Sequence, residues 1–451
     1  MTEARRSPAA SPAAEADAPA APAAPAAPAA ADAADAAAVG DLLALAQRRA
    51  VRTLLPSQVL GGIGVGTAAG VGSLLAAKIS GTDSLAGLAG TASALGAAVV
   101  AVPMSRMMDA RGRRPGLIVG YLTGIVGAVA VIASAAVSNF ALLIIGMFLF
   151  GAGNASNLQA RYAAVDAASP RQRAVALSSV VWATTIGAVA GPNLLDAGDR
   201  LASGVGLPKL GGIFGISAVA FAIAGLVILL GLRPDPLLAA RAASAGARAH
   251  APRLSWQEAA AAIRASPLAT VAVISMASAN AVMVGVMSMT PVEMQHAGSD
   301  LHIIGLVISM HIAGMYAFSP IVGWLSHRMG RLPVILAGQL IMIAAFLLAG
   351  IGGAAHRTAI GGGLALLGLG WSFSLIAGST LLTESLSERV RPRCQGLADL
   401  VMGLCGAGGG AVSGVVVSQG SYGILNGAAL VLIVLALGGS AATRLRARAR
   451  P

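Results

Sequence analysis

Cysteine is almost missing from this chain: Cys394 and Cys405 are the only two among 451 residues, and both fall in or beside one late apolar stretch. That excludes a disulfide framework and a cysteine-ligated zinc site, and both read as packing residues. Charge is scarce as well, at 11% of residues against 56% hydrophobic and a mean hydropathy of +0.79. A soluble globule could not cover its surface with so little polar material, so most of the chain requires lipid. Lysine is limited to Lys78 and Lys209, which leaves arginine to carry the net charge of +12. This arginine bias, with abundant Ala and Gly, points to a GC-rich bacterial genome. The arginines sit in short clusters between apolar runs instead of on one basic face, which argues against nucleic acid as a partner. No nucleophile–base pair, metal-ligand cluster or GxxxxGK phosphate loop occurs, so the chain offers no catalytic residue, no metal or cofactor site and no ATP-driven chemistry.

What is present is a succession of apolar stretches. Residues 1–52 are Ala/Pro-rich with nothing to bury and read as a disordered tail. Arg5 and Arg6 resemble a twin-arginine signal, but no apolar core follows them within the tail, and they read as its basic start. From Leu54 onward come twelve stretches near the membrane-spanning length of about 20 residues. They lie at 54–78, 84–104, 116–137, 140–162, 174–195, 209–232, 267–290, 302–322, 333–351, 359–382, 396–419 and 423–441. Helices are expected throughout, because a barrel strand would alternate polar with apolar residues. The longest internal connection splits the chain into an N-terminal six-helix bundle over 53–232, a cytoplasmic loop over 233–266, a C-terminal bundle over 267–441 and a basic tail over 442–451. Within that loop Ser255 and Glu258 form a capping box, predicting a short interfacial helix anchored by Trp256.

Twelve spans leave all but four of the 30 basic residues on one side, the exceptions being Lys78, Arg200, Lys209 and Arg357. The positive-inside rule then places both termini in the cytoplasm of a bacterial inner membrane.

The chain also repeats itself. A constant offset of 218 residues, without gaps, lays Ser105 to Pro115 (SRMMDARGRRP) on Gly323 to Pro333 (GWLSHRMGRLP), so Gly112, Arg113 and Pro115 meet Gly330, Arg331 and Pro333. The same offset carries Asp166 onto Glu384, Arg171 onto Arg389 and Arg173 onto Arg391. Two loops in register indicate internal duplication. In each loop the glycine permits a tight turn and the arginines suit an anionic membrane surface.

At these residues the chain resembles the major facilitator superfamily, whose signature between its second and third helices is Gly-x-x-x-Asp-Arg-x-Gly-Arg-Arg. The first copy keeps Asp109, Gly112, Arg113 and Arg114. The second keeps Gly323, Arg328, Gly330 and Arg331, with His327 replacing the acid. The resemblance implies twelve transmembrane helices in two pseudo-symmetric six-helix bundles, an all-α membrane fold, with the loop acting as a conformational latch through Asp109. In the fifth stretch Gly187, Gly191 and Pro192 resemble the family's antiporter motif, Gly-x-x-x-Gly-Pro-x-x-Gly-Gly. Leu195 and Asp196 stand where that motif has its last two glycines. The arginine expected early in the fourth helix of proton-coupled exporters is replaced by Met147.

Asn154, Asn157 and Arg161 share one face of the fourth helix. With Gln58, Asn280, Met283, Trp371 and Phe373 on the other segments that line the family's cavity, Asn154 and Asn157 are the candidate cargo contacts, and they suit an uncharged or amphipathic organic molecule. His311, Asp399, Asp196 and Glu293 are the candidate proton carriers. The expected function is proton-driven export of a small organic compound by alternating access, with the lipid bilayer, a small-molecule substrate and the proton motive force as partners and the chain acting as a monomer. Uptake or facilitated diffusion of a nutrient is the alternative, and a non-transporting membrane sensor is a third reading.

Overall fold

The computed structural model describes the backbone of residues 27–204, 206, 208, 210–243, 255–352, 357–387 and 390–448. Side chains at 27–38, 109, 170–175, 177, 178, 181, 351, 352, 357, 391–393 and 443–448 lie outside that description. Two of the repeated arginine pairs, Arg171/Arg389 and Arg173/Arg391, and the side chain of Asp109 therefore fall outside the described residues.

The described secondary structure is helical. In the first half of the chain the helices are α1 (Ala27–Ala68), α2 (Val71–Ser80), α3 (Gly87–Arg111), α4 (Arg113–Val137), α5 (Phe140–Ala163), α6 (Pro170–Ala190), α7 (Leu195–Gly204) and α8 (Gly211–Gly231). Next come α9 (Pro236–Ala243) and α10 (Trp256–Ala265). The second half holds α11 (Pro267–His296), α12 (Leu301–Tyr316), α13 (Ser319–Met329), α14 (Arg331–Gly352), α15 (Arg357–Glu384), α16 (Arg391–Gln419) and α17 (Tyr422–Arg448). Eleven stretches of the described residues are long and apolar enough to cross a membrane; α1 with α2 makes one of them and α12 with α13 another. Helix α6, 21 residues long, stands fifth in order and completes the twelve.

The start of α1 differs from the sequence expectation. The tail boundary at residue 52 falls inside this helix, which begins at Ala27. Alanine is the strongest helix former, and no proline interrupts the chain between Pro28 and Pro56. Low complexity therefore concealed a helix. Helix α1 ends at Ala68, and Gly70, with a φ of +78°, separates it from α2.

In the central connection the capping box forms as the spacing predicts. The Ser255 hydroxyl accepts from the Glu258 N–H at 3.1 Å, and Glu258 Oε2 accepts from the Ser255 N–H at 2.6 Å. Trp256 is exposed, while Ala259 and Ile263 bury their side chains in a cluster with Cys394 and Ala398 of α16. The Cys394 thiol approaches the Ala259 carbonyl at 3.5 Å, a packing role for a free cysteine.

The two halves meet at the end of the bundle opposite the Gly112 and Gly330 turns. Thr91 Oγ1 on α3 donates to the Ala407 carbonyl of α16 at 2.9 Å. Ser309 Oγ on α12 donates to the Val189 carbonyl of α6 at 2.8 Å and accepts from Asn193 Nδ2 at 2.9 Å. The packing there is backbone against backbone: a Cβ on Gly305 would strike the Pro192 carbonyl oxygen, and one on Gly87 the Gly410 carbonyl oxygen. Small residues let helices approach this closely where lipid supplies no hydrophobic drive between them.

Candidate functional site

The repeat seen in the sequence is reproduced atom by atom at the arginine-rich end. Arg113 donates from Nε to Asp166 Oδ2 at 2.7 Å and from Nη2 to Oδ1 at 3.2 Å. Arg331 donates from Nε to Glu384 Oε2 at 3.0 Å and from Nη2 to Oε1 at 2.7 Å. Both are bidentate forks, the geometry for which arginine is suited. Gly112 and Gly330 precede them with φ of +90° and +89°, a conformation open to glycine alone at such ψ values.

Around the first copy the sequence missed a partner. Asp235, at the head of α9, accepts from the Arg114 N–H at 2.9 Å through Oδ2 and from the Leu237 N–H at 3.1 Å through Oδ1. A Cβ on Gly112 would collide with this carboxylate. Of the other loop candidates, Arg328 lies over the Trp324 ring at 5.4 Å, and Gly323 has open space beside it.

The antiporter-like residues are packing contacts on both sides. Cβ atoms on Gly187 and Gly191 would enter the backbone of α1 at Val59 and at Thr67, while Pro192 abuts Gly305 of the other half. This segment is where the first half both closes on itself and touches the second.

Among the cavity candidates two buried amides act as pseudo-symmetric staples. Gln58 Nε2 of α1 donates to the Asn157 carbonyl at 2.9 Å and to Thr184 Oγ1 at 3.0 Å, tying α1 to α5 and α6. Asn280 Nδ2 of α11 donates to the Met402 carbonyl at 2.9 Å while its Oδ1 accepts from Trp371 Nε1 at 3.0 Å, tying α11 to α16 and α15. Thr184 and Met402 are related by the 218-residue offset. Asn157 is buried against Gly61 and Tyr121 inside the first half, Asn154 is half-buried on the same helix, and Met283 is buried. Trp371 meets Tyr316 edge to face at 5.9 Å. Phe373 does not belong with them. It packs on Gly338 of α14 among Leu332, Val334 and Ile335, because two residues along a helix from Trp371 is the opposite face.

Arg161 lies apart from the Arg113–Asp166 fork, and its Nη2 donates to the Tyr162 hydroxyl at 3.2 Å. Its charge acts on Asp399 of α16 and on Tyr316 of α12, both in the other half. Its Nε is buried without a partner, and its guanidinium lies 5.0 Å over the Tyr162 ring.

The remaining proton candidates are dispersed. His311 is fully buried between α12 and α15, with Nδ1 at 2.6 Å from the Leu364 carbonyl oxygen, so Nδ1 carries the proton and Nε2 has no partner. Asp196 is paired with Arg200 at 2.6 Å on an exposed face of α7. There it lines a shallow cavity of about 690 Å³ with Asn193, Arg200 and His302. Glu293 is half-buried near the end of α11, and Asp399 is exposed.

The family profile described as Major Facilitator Superfamily matches residues 54–300 and 276–451. The chain belongs to this superfamily. It is 40% identical over 391 residues, 86% of its own length and 89% of the relative's, to an uncharacterized MFS-type transporter, YddS, of Bacillus subtilis (strain 168). It is 29% identical over 364 residues, 80% of this chain and 86% of the relative, to the riboflavin transporter RfnT of Brucella anthropi. A crystal structure of a mutant of the nucleoside transporter NupG shares the fold at a TM-score of 0.70 and 17% identity, covering 87% of this chain and 99% of that one. The protein is thus a multi-pass membrane transporter with twelve helices in two six-helix bundles, and not an enzyme.

Proposed function

We propose that the protein is a proton-driven exporter of a small uncharged or amphipathic organic compound, working as a monomer in a bacterial inner membrane with both termini cytoplasmic. The observation that carries this reading is the Gly187–Gly191–Pro192 segment, which resembles the antiporter motif and lies at the joint between halves. The arginine distribution orients the Gly112 and Gly330 turns toward the cytoplasm. On that orientation the joint lies on the outer side, and alternating access requires it to part while the inner ends of the two halves come together. The Tyr316–Trp371 corner offers an edge and a face for a ring-bearing cargo, in keeping with the riboflavin named for the Brucella relative.

Purified protein in proteoliposomes, assayed against a panel of amphipathic dyes with and without an imposed proton gradient, tests the reading. Gradient-stimulated efflux is expected; retention of every dye irrespective of the gradient would sink it. Asp109→Asn is expected to impair turnover with membrane insertion intact, and normal rates in that variant would remove the latch role.

Facilitated uptake is supported by one specific observation. Met147, where the coupling arginine would stand, packs its methyl group on Gly72 of α2. Loss of growth of a deletion strain on a single carbon or nitrogen source would favour that reading.

A further inference from the structure

Glu293, one of the candidate proton carriers, belongs to a group of titratable side chains at the joint. Asp83, in the short turn Asp83–Leu85 ahead of α3, places Oδ2 at 3.7 Å from Nδ1 of His296, the last residue of α11. These residues belong to different halves. Glu293 precedes His296 by one helical turn on the same face, and the charges of both His296 and Asp83 act on it. One carboxylate thus reaches the imidazole from the other half, and a second lies one turn back on the imidazole's own helix. Tyr422 of α17 bonds Thr290 at 2.9 Å and lies within reach of the Glu293 charge. The other charged groups on neighbouring elements are Lys78 at the end of α2, and Asp300 and His302 at the start of α12, where Asp300 accepts from the Ile303 N–H. The backbone oxygens of Asp83 and Ser84 press on Gly414 of α16, so the turn bearing Asp83 moves only if the joint loosens.

The scaffold does not demand these charges. The 218-residue repeat sets Leu75, Lys78 and Leu301 at the positions equivalent to Glu293, His296 and Asp83. Helix ends of this shape are thus built without a carboxylate–imidazole–carboxylate set.

We propose that Asp83, Glu293 and His296 form a proton-binding site that holds the outer joint closed. With the imidazole protonated, a cation stands 3.7 Å from a carboxylate of the other half. When it loses its proton that attraction across the joint is lost, leaving the like charges of Asp83 and Glu293 to repel, which favours separation. The His296 side chain is 59% exposed, so the proton is exchanged with the outer solution. The inference rests on the orientation in the proposed function and is independent of the direction of transport.

The full chain in lipid nanodiscs, with Cys405→Ser, would carry spin labels at Arg200→Cys and Ser418→Cys, exposed positions on opposite halves at that end. Between pH 8 and pH 5 the short-distance population is expected to rise about two- to five-fold, the range an exposed ion pair supports. His296→Gln should abolish the response, and so should Asp83→Asn, which removes the partner across the joint, while Glu293→Gln should keep a response of smaller amplitude. An unchanged pH response in His296→Gln, or a wild-type population indifferent to pH, would overturn the site. Thermal transitions of each variant confirm that the labelled protein is folded. If the wild type shows a pH-responsive joint but no gradient-driven efflux, the export reading fails and the site stands.

Discussion

At Gly112 the backbone takes φ +90° and ψ 173°, and at Gly330 φ +89° and ψ 159°. After each, an arginine forks onto an acid 53 residues later in the chain. The environments differ. The Arg113–Asp166 side chains are 17% and 14% exposed, whereas those of Arg331 and Glu384 are 22% and 51% exposed. The first turn is also pinned by Asp235, while the nearest atom to a Cβ on Gly330 is Pro333 Cδ at 3.7 Å. Duplication has kept the geometry that shapes each half, and the two copies have diverged in what the turn is fastened to. The fastened copy is the one against which the head of the connection between halves is bonded.

Breaking the turns should show this first. Gly112→Ala forces a side chain into a glycine-only conformation and against the Asp235 carboxylate, and should cost about 3 kcal/mol. Gly330→Ala meets only the conformational cost, about 2 kcal/mol. Thermal unfolding in detergent compares the two, and equal losses would mean that Asp235 adds nothing. Next, Arg113→Gln should cost about 2 kcal/mol and Arg331→Gln about 0.5 kcal/mol, because the first pair is the better shielded from solvent. A reversed order would defeat the claim that the first clamp is the stronger. Smallest is the contrast between the staples. Asn280→Leu strands the Trp371 N–H and should cost about 1 kcal/mol. Gln58→Leu removes donors only and should cost about 0.5 kcal/mol. Tryptophan fluorescence during unfolding would register the loss at Trp371.

Much of this architecture was legible in the residues. The spans follow from apolar length, and the 218-residue register predicted that Gly112 and Gly330 share a conformation and that Asp166 and Glu384 share a place. The forks themselves were not predicted, because nothing in the register says which of several arginines each acid holds. Asp235 was hidden for a different reason: its partner, Arg114, is 121 residues away and is a backbone N–H, which has no sequence signature. Phe373 was misjudged where helical periodicity would have separated it from Trp371. The start of α1 was masked by composition, since alanine that looks featureless as sequence is the residue most favourable to a helix. Arg161 stands at the end of its helix, as its position in the apolar stretch implies, but its place over the Tyr162 ring has no sequence signature.

Asp235 also has a mechanical consequence. It fastens α9 to the first half, while Ala259 and Ile263 fasten α10 to the second, so the connection leaves one half and enters the other as a packed part of each. The register between the halves is then carried by the surfaces that meet at the joint, where Thr91 holds α16 and Ser309 holds α6.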